Sequence, residues 1–146
     1  MKNQLALLNE LKRDEGLRYY PYRDSEGELT IGYGRCLSTH GIDENEANYL
    51  LHNDIEYAEE SVKAYFSQYD QWPTDAQHVV VACTFNLGVA GFRGFKKCVK
   101  ALREQDWETA ADELLDSRAA RELPQRYQRY ADKLRRINNA NHDQRP

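Results

Sequence analysis

The sequence lacks a long apolar segment. Its longest apolar run near the N-terminus, Leu5 to Leu8, is followed directly by Asn9 and Glu10. A run of this length is too short for the core of a signal peptide or for a membrane span. We therefore expect the protein to be made and folded in a cytoplasm, without stable insertion into a membrane.

Cysteine and histidine are scarce, and neither has the spacing of a metal site. The sequence also contains no EF-hand-like run of oxygen ligands, and Gly32-Tyr33-Gly34 lacks the full glycine pattern of a phosphate loop. We therefore expect free thiols, no metal and no cofactor. The residues concerned are Cys36, Cys83, Cys98, His40, His52, His78 and His142.

The composition is ordinary, but the charge is uneven. Hydrophobic residues make up 40% of the 146 residues and charged residues 30%, which suits one cored domain or two small lobes that share a helix. Residues 1–92 contain 7 basic and 15 acidic side chains, whereas residues 93–137 contain 12 basic and 8 acidic ones. A basic C-terminal half suits an anionic polymer, and a solvated helical face explains it equally well. Bacterial wall, nucleic acid and a membrane surface are anionic partners of this kind, and among them we expect no nucleic acid.

The first part of the chain is predicted to form a helix and a hairpin. Residues 2–15 carry a leucine stripe at helical spacing and are followed by Gly16, a residue typical of helix ends. Between Leu17 and Arg35 the helical period is lost and strand-forming residues flank the turn Asp24-Ser25-Glu26-Gly27. This pattern predicts a β-hairpin.

The rest of the chain is predicted to be helical. Asp43 and Glu46 form a capping-box pattern that opens a helix to about Phe66, and at roughly 34 Å this helix could bridge two lobes.

We therefore expect a single α+β, mostly α domain over residues 1–146. Its parts are a small lobe over about 1–42, a linking helix over about 43–66, a helical lobe over about 67–138 and a frayed tail over 139–146. The helical lobe should contain a central apolar helix that begins with a Thr74–Gln77 capping pattern, and further helices near 94–105, 107–117 (with Asp106 as N-cap) and 125–138.

Two carboxyl groups and a hydroxyl in the small lobe suit glycoside hydrolysis, which needs one protonated acid and one carboxylate. Glu15 is expected at a helix C-terminus, whose negative end disfavours an ionised carboxyl, and we also expect it to be buried beneath the aromatic residues that follow. Asp24 lies in a wetter turn. Thr30, on the returning strand, could help Asp24 to hold a water molecule. By themselves these residue types are common in surface and turn positions.

The segments that surround Glu15, Asp24 and Thr30 are more specific than these residue types alone. The segments Arg13–Arg18, Tyr22–Gly27 and Leu29–Gly34 resemble glycoside hydrolase family 24, the T-even bacteriophage type of lysozyme. The resemblance resumes at Phe85–Phe92, Trp107–Arg118 and Pro124–Arg126. It implies a lysozyme-like two-lobe fold with Glu15 as general acid, Asp24 as base and Thr30 positioning the water. It also implies inversion at the anomeric carbon, although the sequence leaves the spacing of the two carboxyls open.

The resemblance also implies substrate-binding residues, with several departures. Arg126 matches an Arg beside the acid, and Phe85 matches a Phe that lines the sugar site, although core packing explains Phe85 as well. The family's His, cleft Leu, Ser and cleft Asn are replaced here by Arg35, Cys36, Phe95 and Glu113. The stretch between Arg35 and Asp43 is much shorter than in the family's type member, so the small lobe is expected to have lost a strand and a short helix.

The resulting hypothesis is a bacteriolytic endolysin, a muramidase that hydrolyses the β-1,4 bond between N-acetylmuramic acid and N-acetylglucosamine in peptidoglycan. We expect a monomer that is made in the cytoplasm of a host bacterium. It should reach the wall from the periplasm through a holin or another breach of the membrane. Two alternatives stay open: a lytic transglycosylase that uses Glu15 alone, and a wall-binding module without turnover.

Overall fold

The structure is a computed structural model that describes residues 1–142 of the chain. The chain divides into two compact units, residues 1–50 and the residues from Leu51 onward. The boundary between the two units lies inside a helix. From the sequence we expected the small lobe to end at about residue 42, before that helix begins. Helices predominate and the described strands form one small sheet, so the α+β, mostly α class is confirmed.

The N-terminal unit contains the predicted helix and hairpin. Helix α1 (Gln4–Glu15) is followed by strands β1 (Arg18–Arg23), β2 (Leu29–Gly32) and β3 (Arg35–Cys36), which form an antiparallel sheet in that order. The leucine stripe of α1 is present, but the N-terminal unit itself does not cover it. The leucines of this stripe, Leu5, Leu8 and Leu11, are all exposed.

The stretch between the sheet and the next helix keeps more structure than we expected. Besides β3, it contains the one-turn helix α2 (Leu37–His40). The expectation that a strand and a short helix are lost between Arg35 and Asp43 is therefore wrong, because both persist in a very short form. The chain then enters helix α3 (Glu44–Tyr65).

The capping box that was predicted for α3 is confirmed in both directions. The backbone N–H of Glu46 donates to Oδ1 of Asp43 at 2.9 Å, and the N–H of Asp43 donates to Oε2 of Glu46 at 2.9 Å. The second capping pattern, at Thr74 and Gln77, does not form: no side chain caps that helix, and Nε2 of Gln77 donates instead to the carbonyl of Tyr69 at 2.9 Å. The N-cap position falls on Pro73, whose nitrogen carries no hydrogen, so the Gln77 side chain has no N-cap donor to accept from. Tyr69 lies in the preceding 3-10 turn (Tyr69–Gln71).

The unit from Leu51 onward is helical around one apolar core. Helix α4 (Thr74–Arg93), in which the backbone leaves helical geometry at Gly88, is predicted correctly as the central helix. It is followed by α5 (Lys96–Arg103), α6 (Trp107–Leu115), α7 (Arg118–Glu122) and α8 (Pro124–His142). Among residues 1–142 no single helix has the length and apolar composition of a membrane span. Helices α4 and α5 have that length and composition only when they are taken together, and a bend of 106° separates them. Side chains at the centre of the core include Val79, Val80, Cys83, Leu102, Leu114, Tyr127 and Leu134.

Two helix boundaries differ from prediction. The helix expected over 107–117 ends at Leu115, because Ser117 caps a separate helix by accepting from the N–H of Ala120 at 3.1 Å. The last helix continues to His142, so the expectation of a frayed tail from residue 139 is wrong for residues 139–142. Residues 143–146 of that tail lie outside the described residues.

The free thiols expected from the sequence are confirmed: Cys83 and Cys98 are buried, and Cys36 is half-buried. Burial raises the pKa of Cys83, and burial together with the nearby charge of Glu113 raises the pKa of Cys98 to about 12. Since the thiolate is the reactive form, both core thiols should be inert in the folded protein.

The N-cap of α6 provides a stability prediction. Asp106 accepts a hydrogen bond from the N–H of Thr109 at 3.1 Å, as its position in the sequence predicted. Replacing Asp106 by Ala removes this partner, and we expect unfolding in urea to show a loss of about 1 kcal/mol. Asp116→Ala, at the opposite end of the same helix, is the matched control and should be neutral or slightly stabilising, because an acid disfavours a helix C-terminus. Equal losses for both variants would contradict the capping argument.

Candidate active site

Asp24 is held at the turn between β1 and β2. Its Oδ1 accepts hydrogen bonds from the backbone N–H groups of Glu26 and Glu28, each at 2.9 Å. These bonds fix the direction of the carboxylate without using its second oxygen, for which the described residues provide no partner. The half-buried Asp24 can therefore present Oδ2 to a water molecule or a substrate.

Thr30 is tied to the same turn. It lies on the central strand β2, opposite Tyr22 of β1 and Cys36 of β3, and only 3% of it is exposed. Its hydroxyl donates to the carbonyl of Glu28 at 3.0 Å, and the same carbonyl accepts from the N–H of Asp24 at 2.9 Å. The Glu28 backbone therefore holds Asp24 and Thr30 in a fixed relation, and the donating hydroxyl keeps its lone pairs for a further hydrogen bond.

Glu15 is the last residue of α1, as predicted. The helix ends where the N–H of Gly16, at φ +70°, donates to the carbonyl of Lys12 at 3.2 Å. The side chain of Glu15 is exposed, so the expectation that the following aromatic residues bury it is wrong. Tyr19 and Tyr20, which we expected above it, are themselves exposed on the edge strand β1.

One residue next to Glu15 was not identified from the sequence. A Cβ atom added to Gly34 would lie 3.1 Å from Oε2 of Glu15, so the backbone between β2 and β3 runs directly beside this carboxyl. In the sequence, Gly32-Tyr33-Gly34 was considered as an incomplete phosphate-loop pattern. The structure shows that one of its glycines makes room for Glu15.

Two of the expected substrate-binding residues lie together in the helical unit. Phe85 on α4 and Arg126 on α8 both line a cavity of about 630 Å³. The residues that directly follow them, Asn86 and Tyr127, form a hydrogen bond in which the hydroxyl of Tyr127 donates to Oδ1 of Asn86 at 2.9 Å. Phe85 is 49% exposed, so core packing does not account for its ring, although core packing was a reasonable alternative from the sequence.

The other three expected binding residues lie elsewhere. Cys36 lines a separate concavity of the N-terminal unit, with Gly34 and His40 among its neighbours. Phe95 is half-buried and packs against Phe92 of the core, with ring centroids 6.1 Å apart. Glu113 is half-buried on α6. The structure thus favours packing for Phe95 and does not bring Glu113 to the cavity of Phe85.

The N-terminal unit therefore presents an exposed carboxyl at a helix end, an oriented carboxylate that accepts from the N–H of Glu28, and a hydroxyl that donates to the carbonyl of Glu28. A carboxyl can serve as a proton donor, a carboxylate as a base and a hydroxyl as a group that holds water. Together these groups can fill the three roles that acid-catalysed hydrolysis of a glycosidic bond requires.

Known proteins share this sequence pattern over most of the chain. The profile of a family described as phage lysozyme matches residues 12–129. The chain is 27% identical to the probable T4-type lysozyme 2 of Dictyostelium discoideum, over 85% of this chain and 90% of the relative. It is 28% identical to the endolysin of Salmonella phage P22, over 74% of this chain and 77% of that endolysin. The probable T4-type lysozyme 1 of Dictyostelium discoideum is 24% identical, over 82% and 87% of the two chains.

Proposed function

The chain belongs to the phage lysozyme family and is a glycoside hydrolase of the lysozyme type, and we propose that it cleaves the β-1,4 bond between N-acetylmuramic acid and N-acetylglucosamine. Peptidoglycan is the substrate that the family implies. We assign Glu15 as general acid and Asp24 as general base, with Thr30 positioning the attacking water. The observation that carries this assignment is the pair of backbone groups of Glu28: its N–H donates to the Asp24 carboxylate, and its carbonyl accepts from the Thr30 hydroxyl and from the N–H of Asp24.

The acid step needs a carboxyl group that can reach a polymer. Glu15 is exposed at the end of α1, so its proton can be transferred to the oxygen that links the two sugars. The bond from that oxygen to the anomeric carbon then breaks, and positive charge develops on the sugar ring. Glu15 is left ionised and regains its proton from solvent.

The base step uses the oriented pair. A water molecule can donate one hydrogen to Oδ2 of Asp24 and the other to the lone pairs of the Thr30 hydroxyl, which points its own hydrogen at the Glu28 carbonyl. The lone pair of this water then faces away from both groups, toward the anomeric carbon. As the new C–O bond forms, Asp24 takes the proton, and attack from the opposite side of the ring inverts the configuration.

Arg126 and Phe85 are proposed to contribute to substrate binding from the helical unit. A guanidinium is suited to the acidic groups of peptidoglycan, and an exposed aromatic ring is suited to the apolar face of a sugar. Their position on one cavity supports this assignment. Cys36, beside Gly34 in the N-terminal unit, is a weaker candidate for the same role, and Phe95 and Glu113 are weaker still because they lie away from the cavity.

The cellular setting follows the same proposal. We infer a monomer that acts on the cell wall, reached from the periplasm after a holin or another breach opens the inner membrane. Addition of the purified protein to intact cells and to cells with permeabilised membranes measures this dependence, and lysis of only the second sample would support it.

The nature of the products tests the proposed reaction. Purified peptidoglycan treated with the protein should release new reducing ends, and NMR at early times should show the α-anomer formed from the β-linkage. An initial β-anomer would refute inversion. Anhydro sugars without new reducing ends, detected by mass spectrometry, would establish the transglycosylase alternative, and binding to the wall with no cleavage would establish a binding module.

A further inference from the structure

The turn between β2 and β3 forms one wall of the space that the Glu15 carboxyl occupies. A Cβ atom on Gly34 would lie 3.1 Å from Oε2 of Glu15, which is tighter than most real Cβ contacts, and 3.5 Å from Cδ of Glu15, which is an ordinary contact. The φ angle of Gly34 is +81°, a conformation that other residues rarely adopt. The backbone at Gly34 therefore limits where the Glu15 carboxyl can lie.

The next residue ties this turn to the start of α3. Arg35 pairs with Ile31 in the β2–β3 ladder. Its Nη2 donates to Oε1 of Glu46 at 2.7 Å, and its Nη1 donates to Oε2 of Glu46 and to the carbonyl of Gly41, each at 3.0 Å. A two-pronged bond of this kind fixes the orientation of the guanidinium as well as its position.

Glu46 is itself held in place by the capping box with Asp43. Its hydrogen bond with Arg35 lowers the pKa of Glu46, so the pair stays ionised at neutral pH. A continuous series of contacts runs from the first turn of α3 through Arg35 to Gly34. We call Arg35, Glu46 and Asp43 the clasp.

We propose that the clasp is a positioning device for the catalytic acid, with Arg35 as the positioning residue that acts through Gly34 on Glu15. This inference rests on the proposed role of Glu15. By fixing the backbone beside the carboxyl, the clasp restricts the directions in which Glu15 can present its proton. A misplacement of about 1 Å at a reacting group can reduce a rate by roughly 100-fold, so even a small movement of this wall should affect turnover.

Stabilisation alone is a poor explanation for the clasp. The side chains of Arg35 and Glu46 are 42% and 38% exposed, and ion pairs with this degree of exposure add little to stability. The arrangement is more elaborate than such a pair requires, since three acceptor oxygens receive the guanidinium and the carboxylate also caps a helix. A role in turnover predicts a different result from a role in stability.

The test compares kcat and KM on soluble, uncrosslinked peptidoglycan strands. Arg35→Met should lower kcat by about tenfold or more while KM stays within about twofold, because proton delivery is impaired and binding is not. Arg35→Lys, which keeps the charge but not the fork, should recover part of kcat. Glu46→Gln keeps an acceptor for the capping box and should also lower kcat, which provides a second variant should Arg35→Met fold poorly.

Two controls make the result decisive. Arg118→Met removes a comparable exposed ion pair, with Glu122 at 2.8 Å, and should leave kcat unchanged. In a Glu15→Gln background, Arg35→Met should cause no additional loss, since the clasp acts only through Glu15. An unchanged kcat for folded Arg35→Met and Glu46→Gln, or an equal loss with and without Glu15, would overturn the proposal. Full activity of Glu15→Gln alone would instead overturn the assignment of the acid, so the two failures are distinguishable.

Discussion

Replacing Glu15 by Gln is expected to reduce the release of reducing ends from peptidoglycan by roughly 10²- to 10⁴-fold, the range typical of losing a general acid. Glutamine keeps the size of the side chain but has no acidic proton for the leaving sugar oxygen. Because Glu15 is exposed, stability should change by less than about 0.5 kcal/mol. The effect should therefore lie in kcat, with the melting temperature unchanged.

The matched control is Glu10→Gln. Glu10 lies on the same helix, is also exposed, and undergoes the same change of charge. It should retain the activity of the parent protein, which separates proton donation from a general effect of removing an acid from α1. If both variants lost activity equally, or if Glu15→Gln remained active, Glu15 would not be the acid.

Replacing Asp24 by Asn is expected to have the second large effect, a loss of roughly 10²- to 10⁴-fold in the same assay. Asparagine offers one oxygen that can still accept from the N–H groups of Glu26 and Glu28, so the turn should keep its shape. The amide cannot take a proton from water. Loss of activity with an unchanged melting temperature would thus locate the effect in the base step.

This variant also separates the two enzymatic readings. A transglycosylase forms its product by internal attack and needs no base to activate water, so Asp24→Asn would leave it active. Glu26→Gln, an exposed neighbour in the same turn, serves as the control and should be fully active under either reading. Retention of activity by Asp24→Asn, together with anhydro products, would replace the proposed hydrolysis.

Local signals were reliable where a short segment contains its own partners. The capping box at Asp43 and Glu46 and the N-cap at Asp106 formed as predicted, because donor and acceptor are three residues apart. The hairpin likewise follows from a turn that closes on itself, with the N–H of Gly27 donating to the carbonyl of Asp24 at 3.0 Å. Interactions of this kind need no information from distant parts of the chain.

Local signals failed where the pattern did not fix the neighbours of a residue. Thr74 and Gln77 resembled a capping pair, but the N-cap position falls on Pro73, which has no N–H to donate. Glu15 was expected to be buried by the aromatic residues that follow it. Those residues lie on strand β1, where Tyr19 and Tyr20 are exposed and do not cover it. In both cases the position of the neighbouring groups decided the outcome.

The sequence by itself determined the residues that this lysozyme offers for chemistry and the elements that carry them. Glu15 at a helix end, Asp24 in a turn and Thr30 on the returning strand follow from short-range periodicity and turn composition, and the family resemblance assigned their roles. Only the tertiary structure decided what stands beside each group. The Glu28 backbone that links Asp24 to Thr30 depends on the register of the two strands. The Gly34 backbone against Glu15 and the bond from Arg35 to Glu46 join residues that are nineteen and eleven positions apart in the sequence. Such contacts arise when the chain closes on itself in three dimensions, because the partner atoms are brought together by packing and pairing rather than by their spacing along the sequence.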